Sequence, residues 1–159
     1  MVGNGVKLIL CVALCLGVGV LGSLFSWGTN LHEWYAHLRK PSFNPPNWVF
    51  GPVWTLLYIL MGVAAFLVWQ KGIGRRDVRV ALGLFALQLA LNALWTPLFF
   101  GWHQIGAAFL EIVLLGLAIL ITLTAFHRVS LPAALCLVPY VGWVGFAAVL
   151  NGSLWYLNR

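Results

Sequence analysis

Residues 105–126 read IGAAFLEIVLLGLAILITLTAF, and this stretch decides the class of the protein. A helix needs about 20 mostly apolar residues to cross the hydrocarbon core of a bilayer, and Glu111 is the single charged side chain in this run. Four other stretches have the same character. The five predicted spans are residues 6–26, 48–69, 80–100, 105–126 and 131–156. None alternates with a period of two, so we predict an all-α fold, an integral membrane bundle of five transmembrane helices in one domain, residues 1–159.

The composition excludes other classes of protein. Hydrophobic residues make up 62% of the chain and charged residues 8%, against about 25% charged in an ordinary soluble domain. Such a chain would expose large apolar patches in water, which excludes a soluble enzyme and a disordered chain. The net charge of +6 comes from nine dispersed basic residues, which do not form the basic face of a nucleic-acid-binding domain.

Basic residues predict the orientation in the membrane. Five spans put the termini on opposite sides, and the side that holds the amino terminus carries six basic residues: Lys7, Lys71, Arg75, Arg76, Arg79 and Arg128. The other side carries Arg39, Lys40 and Arg159. This distribution favours a multi-pass protein of a bacterial cell membrane with a cytoplasmic amino terminus. A signal peptide is the alternative interpretation of the first stretch, but its length, and Gly17, Gly19 and Gly22, favour a packed helix.

The first loop, residues 27–47, is long and rich in Trp, His and Pro. Pro45 and Pro46 stiffen its backbone, and we predict that Asn47 caps the second helix, with Pro52 near the first turn. Two interpretations stay open. Trp48 and Trp54 could belong to an aromatic belt at the headgroups, or the loop could fold over the mouth of the bundle as a lid.

Helical periodicity places aromatic and amide side chains on one face of three spans. These faces are Trp54, Tyr58, Met61 and Ala65 in the second span, Gln88, Asn92 and Trp95 in the third, and Tyr140, Trp143, Ala147 and Asn151 in the fifth. Because amides are costly in contact with lipid, the faces should point inward. Converging, they would form a flat-walled pocket for a large planar amphipathic ligand. The alternative is that the amides join helices and the aromatics only pack.

The remaining polar residues point to little other chemistry. We predict that Glu111 is neutral and bonded to a neighbouring helix, or close enough to a helix end to reach the headgroups. The spacing of His32, Glu33 and His37, with His103 far along the chain, does not predict a metal site. The sequence contains no nucleophile elbow, phosphate-binding glycine loop or carboxylate pair.

Three tracts resemble the signature of the TspO/MBR family, which comprises bacterial tryptophan-rich sensory proteins and the mitochondrial translocator protein. The first runs from Trp34-Tyr35 through Lys40-Pro41-Ser42 to PPNWVFGPVWTLLY at residues 45–58. The second is QLALNALWTPLFFG at residues 88–101, and the third is PYVGW at residues 139–143 with Phe146-Ala147 and Leu150-Asn151 after it. Two departures stand out. Phe43 replaces the usual Trp of the loop, and Gly152 follows Asn151 where mitochondrial members soon have a Tyr, so sterol binding does not follow.

The resemblance implies a five-helix bundle, usually a homodimer, without a required cofactor. It implies binding of porphyrins such as protoporphyrin IX and haem, of isoquinoline and benzodiazepine drugs, and of cholesterol in mitochondrial members, in a pocket under the first loop. Trp54 and Trp143 match the two pocket tryptophans linked to light-dependent porphyrin breakdown. The candidate ligand-binding residues are Tyr35, Trp48, Trp54, Tyr58, Asn92, Trp95, Tyr140, Trp143 and Ala147.

Three functions follow from these observations. The first is a membrane receptor or sensor that binds porphyrins and regulates tetrapyrrole levels. The second is an enzyme that degrades bound porphyrin with light and oxygen beside Trp54 and Trp143, which needs no acid–base residues. The third is a transporter of porphyrin-like or sterol-like ligands, although the lack of an internal repeat argues against a coupled pump.

Overall fold

A computed structural model describes residues 3–24 and 31–159, except for the side chains of residues 31 and 32. The helices are α1 (Asn4–Leu24), α2 (Leu31–His37), α3 (Asn47–Trp69), α4 (Arg76–Thr96), α5 (Ile105–Val129) and α6 (Leu131–Leu157). All except the short α2 are long and apolar enough to cross a membrane. The predicted all-α bundle of five membrane-spanning helices is therefore confirmed. The short α2 lies within the first loop, where the sequence analysis predicted no helix.

A wider turn, Pro97–Gly101, continues α4 toward the next loop. Pro97 has no N–H to donate, and the turn closes instead when the Trp102 N–H donates to the Pro97 carbonyl, 2.8 Å away. This is the i to i+5 pattern of a π-turn. The predicted span of residues 80–100 therefore corresponds to α4 together with this turn, although α4 begins one turn earlier, at Arg76.

The five long helices form a closed ring in the order α1, α3, α6, α5, α4. Small residues bring α1 and α3 together. A Cβ atom on Gly62 would lie 2.5 Å from the Val12 Cα, and one on Gly19 would overlap the Tyr58 ring. The prediction that Gly19 and Gly22 permit close packing is confirmed, because Gly22 lies against Thr96; Gly17 has no such neighbour within 4 Å among the described residues. This packing favours a structural α1 over a signal peptide.

Two long-range contacts define the ends of the bundle. At the amino-terminal end, where α1 begins, the Lys7 ammonium lies 5.6 Å from the centre of the Trp69 ring at the end of α3. At the opposite end, which we call the loop end, the Arg39 N–H donates to Asn158 Oδ1 across 2.9 Å. The Asn158 amide also donates to the Arg39 carbonyl, 2.9 Å away. The first loop is therefore fastened to the end of α6.

Candidate ligand-binding site

A cavity of about 680 Å³ lies inside the ring at the loop end. Side chains from α1, α3, α4, α5 and α6 line it, and Tyr35, Ala36 and Lys40 of the first loop cover it. Its volume lies within the range of about 300–1,000 Å³ that is typical of small-molecule sites. The loop thus occupies the position of the lid that the sequence analysis left open as one interpretation.

Aromatic rings form the walls of this cavity. Trp54 of α3 lies 5.6 Å from Tyr58 between ring centres, as expected for residues one turn apart on a helix. Trp95 stacks on Phe99 at 5.0 Å with the planes 17° apart. Trp143 of α6 meets Phe50 of α3 edge to face at 5.8 Å. These flat surfaces from three helices leave a space that suits a planar ligand.

A chain of hydrogen bonds runs from the cavity wall into the core. The Tyr58 hydroxyl donates to Asn92 Oδ1 across 2.7 Å, and the Asn92 amide donates to the Tyr140 oxygen across 2.9 Å. Tyr140 in turn donates to Gln88 Oε1 across 3.0 Å. The bonds join α3, α4 and α6 through side chains that are costly to bury unpaired. The amides therefore do join helices, as the alternative interpretation proposed, while Asn92 also lines the cavity.

A second polar link fixes the upper part of the wall. The Trp95 indole N–H donates to Asn151 Oδ1 across 3.1 Å, and the Asn151 amide donates to the Ile105 carbonyl at the start of α5, 2.9 Å away. Asn151 therefore satisfies one of the groups near a helix end. The link holds the Trp95 ring in one orientation beside the cavity.

The first loop is held over the cavity by Tyr35. Its hydroxyl donates to Asn44 Oδ1 across 2.9 Å, and its ring meets Phe99 and Phe100 edge to face. Burial raises the pKa of the Tyr35 phenol, while the bond to Asn44 acts in the opposite direction, so the hydroxyl remains a neutral donor at physiological pH. The Lys40 ammonium lies 4.7 Å from the centre of the Tyr35 ring, which places a cation beside the lid.

The structure places seven of the nine candidate residues on the cavity surface. They are Tyr35, Trp54, Tyr58, Asn92, Trp95, Trp143 and Ala147. Trp48 is a correction: it lies outside the cavity with 74% of its surface exposed, because six residues separate it from Trp54 and turn it by about 240° around α3. Tyr140 is a second correction. It is fully buried behind the wall, where its ring meets Trp54 edge to face at 6.3 Å.

Other cavity residues were missed by the sequence analysis. α1 contributes Leu16, Gly19, Val20 and Ser23, a set at the i, i+3, i+4, i+7 spacing of one helix face. That face carries no aromatic or amide group, so it did not differ from a lipid-facing stripe. Phe50 and Phe99 lie one turn from Trp54 and Trp95, and this spacing was a usable signal.

Two predictions about single polar residues are wrong. Both carboxylate oxygens of Glu111 are buried without a hydrogen-bond partner in the described part of the chain, and the residue is 6% exposed, so it neither bonds a neighbouring helix there nor reaches the headgroups. Asn47 does not cap α3. The helix begins at Asn47 itself, Pro46 holds the preceding position, and no side chain caps it.

No group of three potential metal ligands comes together in residues 3–24 and 31–159. Of the four residues considered at the sequence level, the His32 side chain lies outside the described residues. His37 bonds the Glu33 carbonyl of its own helix, and His103 stacks on Trp34 with the ring centres 4.2 Å apart. His37 and His103 thus have local structural contacts.

Comparison with known proteins agrees with this architecture. The family model described as TspO/MBR matches residues 11–157. The chain is 47% identical over 156 residues to the tryptophan-rich protein TspO of Chlorobaculum tepidum, covering 95% of each chain. It is 45% identical over 141 residues to the human translocator protein, covering 87% of this chain and 82% of the human one. It is 42% identical over 127 residues to the tryptophan-rich sensory protein of Cereibacter sphaeroides, covering 79% and 77%.

The match extends over all five membrane-spanning helices and includes the tracts that form the cavity wall and its lid. From this coverage we conclude that the chain belongs to the TspO/MBR family of membrane proteins.

Proposed function

We propose that this protein is a membrane receptor that binds porphyrins, such as protoporphyrin IX or haem, in the cavity under the first loop. The observation that carries the proposal is the cavity itself, whose walls are the flat rings of Trp54, Trp95 and Trp143. A planar tetrapyrrole stacks on such rings and buries most of its apolar surface there. Binding and release would report or regulate tetrapyrrole levels in the membrane.

The polar groups around the cavity suit the rest of such a ligand. The Lys40 ammonium lies at the lid, where it would attract the carboxylates of a porphyrin. The Trp143 indole N–H is buried without an acceptor among the described residues, which leaves one donor for a polar atom of the ligand. An amphipathic ring system with acidic side chains matches this distribution.

Fluorescence titration of the purified chain with protoporphyrin IX in the dark tests the proposal. We expect saturable quenching of tryptophan fluorescence, much of which disappears when Trp54→Phe and Trp143→Phe are combined. The matched control combines Trp48→Phe and Trp102→Phe, because both side chains are exposed and lie outside the cavity. Unsaturable quenching, or equal affinity in the two double variants, would contradict the pocket assignment.

A second function, light-dependent porphyrin degradation, is favoured by one feature. The Trp54 ring contacts both Tyr58 and Tyr140, and the two phenols are joined through Asn92. Such a group of oxidisable rings can pass an electron away from a photo-excited ligand when dioxygen is the oxidant. Illumination of the complex in air separates the functions, because a receptor leaves the porphyrin to bleach at the rate of free porphyrin in detergent, whereas an enzyme accelerates bleaching.

We also propose that the amino-terminal end of the bundle faces the cytoplasm. Lys7, Lys71, Arg75 and Arg128 are at this end, together with Arg76 and Arg79 at the start of α4. The loop end carries Arg39, Lys40 and Arg159. A reporter active only in the cytoplasm, fused to either terminus, tests this orientation: activity is expected at the amino terminus alone.

A further inference from the structure

A second depression, of about 700 Å³, lies on the outer surface at the loop end. We call it the outer groove. It runs between the first loop at Pro41 and Ser42, Phe109 of α5, and the outward face of α6. The α6 residues of the outer groove are Val149, Gly152, Ser153, Trp155, Tyr156 and Leu157. The opposite face of α6, with Ala147, Leu150, Asn151 and Leu154, lines the internal cavity, so the two spaces are separated by the thickness of one helix.

The floor of the outer groove depends on a glycine. A Cβ atom on Gly152 would lie 2.8 Å from the Phe109 ring, so no larger residue fits without displacing that ring. Phe109 stacks on Trp155 with the ring centres 5.8 Å apart. The result is a smooth apolar floor on the outside of a membrane protein, where the hydrocarbon chains of lipid are the surrounding solvent.

Two guanidinium groups lie at the end of the outer groove. The Arg159 guanidinium lies 4.5 Å from the centre of the Tyr156 ring, and the backbone of Arg39 is held by two hydrogen bonds to Asn158, the neighbour of Arg159. Within residues 3–24 and 31–159, neither arginine has a carboxylate within 4 Å. The ion pair found there, Arg75–Asp77, is at the other end of the bundle.

We propose that the outer groove is a binding site for an anionic phospholipid. One acyl chain lies on the floor formed by Val149, Phe109 and Trp155, and the phosphate meets Arg159 and Arg39. The apolar floor inside the hydrocarbon layer and the cations at the helix end, where headgroups lie, reproduce the two parts of this lipid in the right order.

Charge complementarity separates a phospholipid from the other occupants. A sterol offers no charge to the two arginines. A second copy of the chain is poorly equipped, because the chain has three acidic residues. Asp77 is paired with Arg75 and Glu111 is buried, which leaves Glu33 alone to meet two arginines.

Lipid quenching of Trp155 tests the proposal. The full chain, with its affinity tag at the amino terminus, is reconstituted in phosphatidylcholine vesicles that contain increasing fractions of phosphatidylglycerol brominated on its acyl chains. The Trp155 signal is the fluorescence that disappears in Trp155→Phe. We expect half-maximal quenching at a lower fraction of brominated phosphatidylglycerol than of brominated phosphatidylcholine with the same chains.

Substitution of the rim arginines identifies the headgroup contact. Arg159→Gln and Arg39→Gln should each raise the half-maximal fraction about fivefold, the effect of one basic residue at an anionic surface. The control is Arg128→Gln, which removes the same charge from the opposite end of the bundle and should change nothing. The dark affinity for protoporphyrin IX should stay the same in Arg159→Gln, so this site and the proposed function can fail separately.

Three results would overturn the proposal. Equal quenching by the two phospholipids, or an equal effect of Arg128→Gln, would show that the headgroup is not recognised. Protection of Trp155 by cholesterol at the same molar fraction as by unbrominated phosphatidylglycerol would assign the groove to sterols. A change of oligomeric state in Arg159→Gln without added lipid would assign it to a contact between copies.

Discussion

The two ends of the bundle use the same five helices in opposite ways. At the amino-terminal end the helices touch through small side chains, and the residues that fill the core there include Ala64, Ala65, Ala81, Ala133 and Ala134, all at most 5% exposed. At the loop end large aromatic rings hold the helices apart around a cavity of about 680 Å³. Helices in lipid associate mainly through packing and hydrogen bonds, so a cavity at one end depends on close contact at the other.

The polar groups follow the same division. Four interhelical side-chain contacts through Asn92, Tyr140 and Asn151 lie at or just below the cavity. In contrast, Thr122 and Thr124 of α5 bond only to carbonyls of their own helix. Where packing is incomplete because of the cavity, hydrogen bonds hold the helices in place, and they set the shape of the site.

Removing the close contact should have the largest effect. Gly62→Leu places a side chain against the backbone of Val12, and we expect it to lower the free energy of unfolding by about 3 kcal/mol, because α1 and α3 cannot separate without losing other contacts. Thermal unfolding in detergent measures this. The control is Gly116→Leu on α5, where a Cβ meets nothing within 4 Å among the described residues; similar melting temperatures for the two variants would contradict the prediction.

Filling the cavity should remove ligand binding without affecting the tight end. We expect Ala147→Phe to weaken dark binding of protoporphyrin IX about a hundredfold, or about 2.7 kcal/mol, because its ring occupies ligand space. Tryptophan quenching gives the affinity. Ala90→Phe on the exposed face of α4 adds the same ring outside the cavity and should bind normally. Unchanged affinity in Ala147→Phe would place the ligand elsewhere.

Breaking the hydrogen-bond chain should cost less. Asn92→Leu has nearly the same size and leaves the Tyr58 hydroxyl without an acceptor, so we expect a loss of about 1–3 kcal/mol in the free energy of unfolding. Denaturant titration followed by circular dichroism measures it. Thr124→Val, which removes an exposed bond within one helix, serves as the control. Equal stability of the two variants would mean that the chain through Asn92 contributes nothing.

Releasing the lid should have the smallest effect. Asn158→Ala removes the two bonds that fasten Arg39 of the first loop to α6, and we expect porphyrin to leave about two- to fivefold faster, as for a loss of about 0.5–1 kcal/mol. Stopped-flow recovery of tryptophan fluorescence measures the release rate. Ser153→Ala removes a bond within α6 only and should release ligand at the original rate. A lid that does not limit release would give the same rate in both.

The membrane spans and most of the cavity wall were predictable from local patterns. The length of each apolar run identified five helices, and the i, i+4 spacing of Trp54 and Tyr58 and of Gln88 and Asn92 identified their inward faces. The errors arose where a face had to be related to depth or to a neighbour. Trp48 shares the motif but points away from the cavity, and Tyr140 lies behind the wall although it is on the inward face.

The order of residues determined that this chain crosses a membrane five times, because the cost of burying polar backbone in lipid is local to each stretch and can be read from its composition. The arrangement of the helices around the ring decided which inward faces surround a space and which are packed. The contribution of α1, the isolation of Glu111 and the outer groove beside Gly152 all depend on which surfaces meet across long sequence distances. Packing is a property of pairs of surfaces, and a single stretch of sequence does not contain its partner.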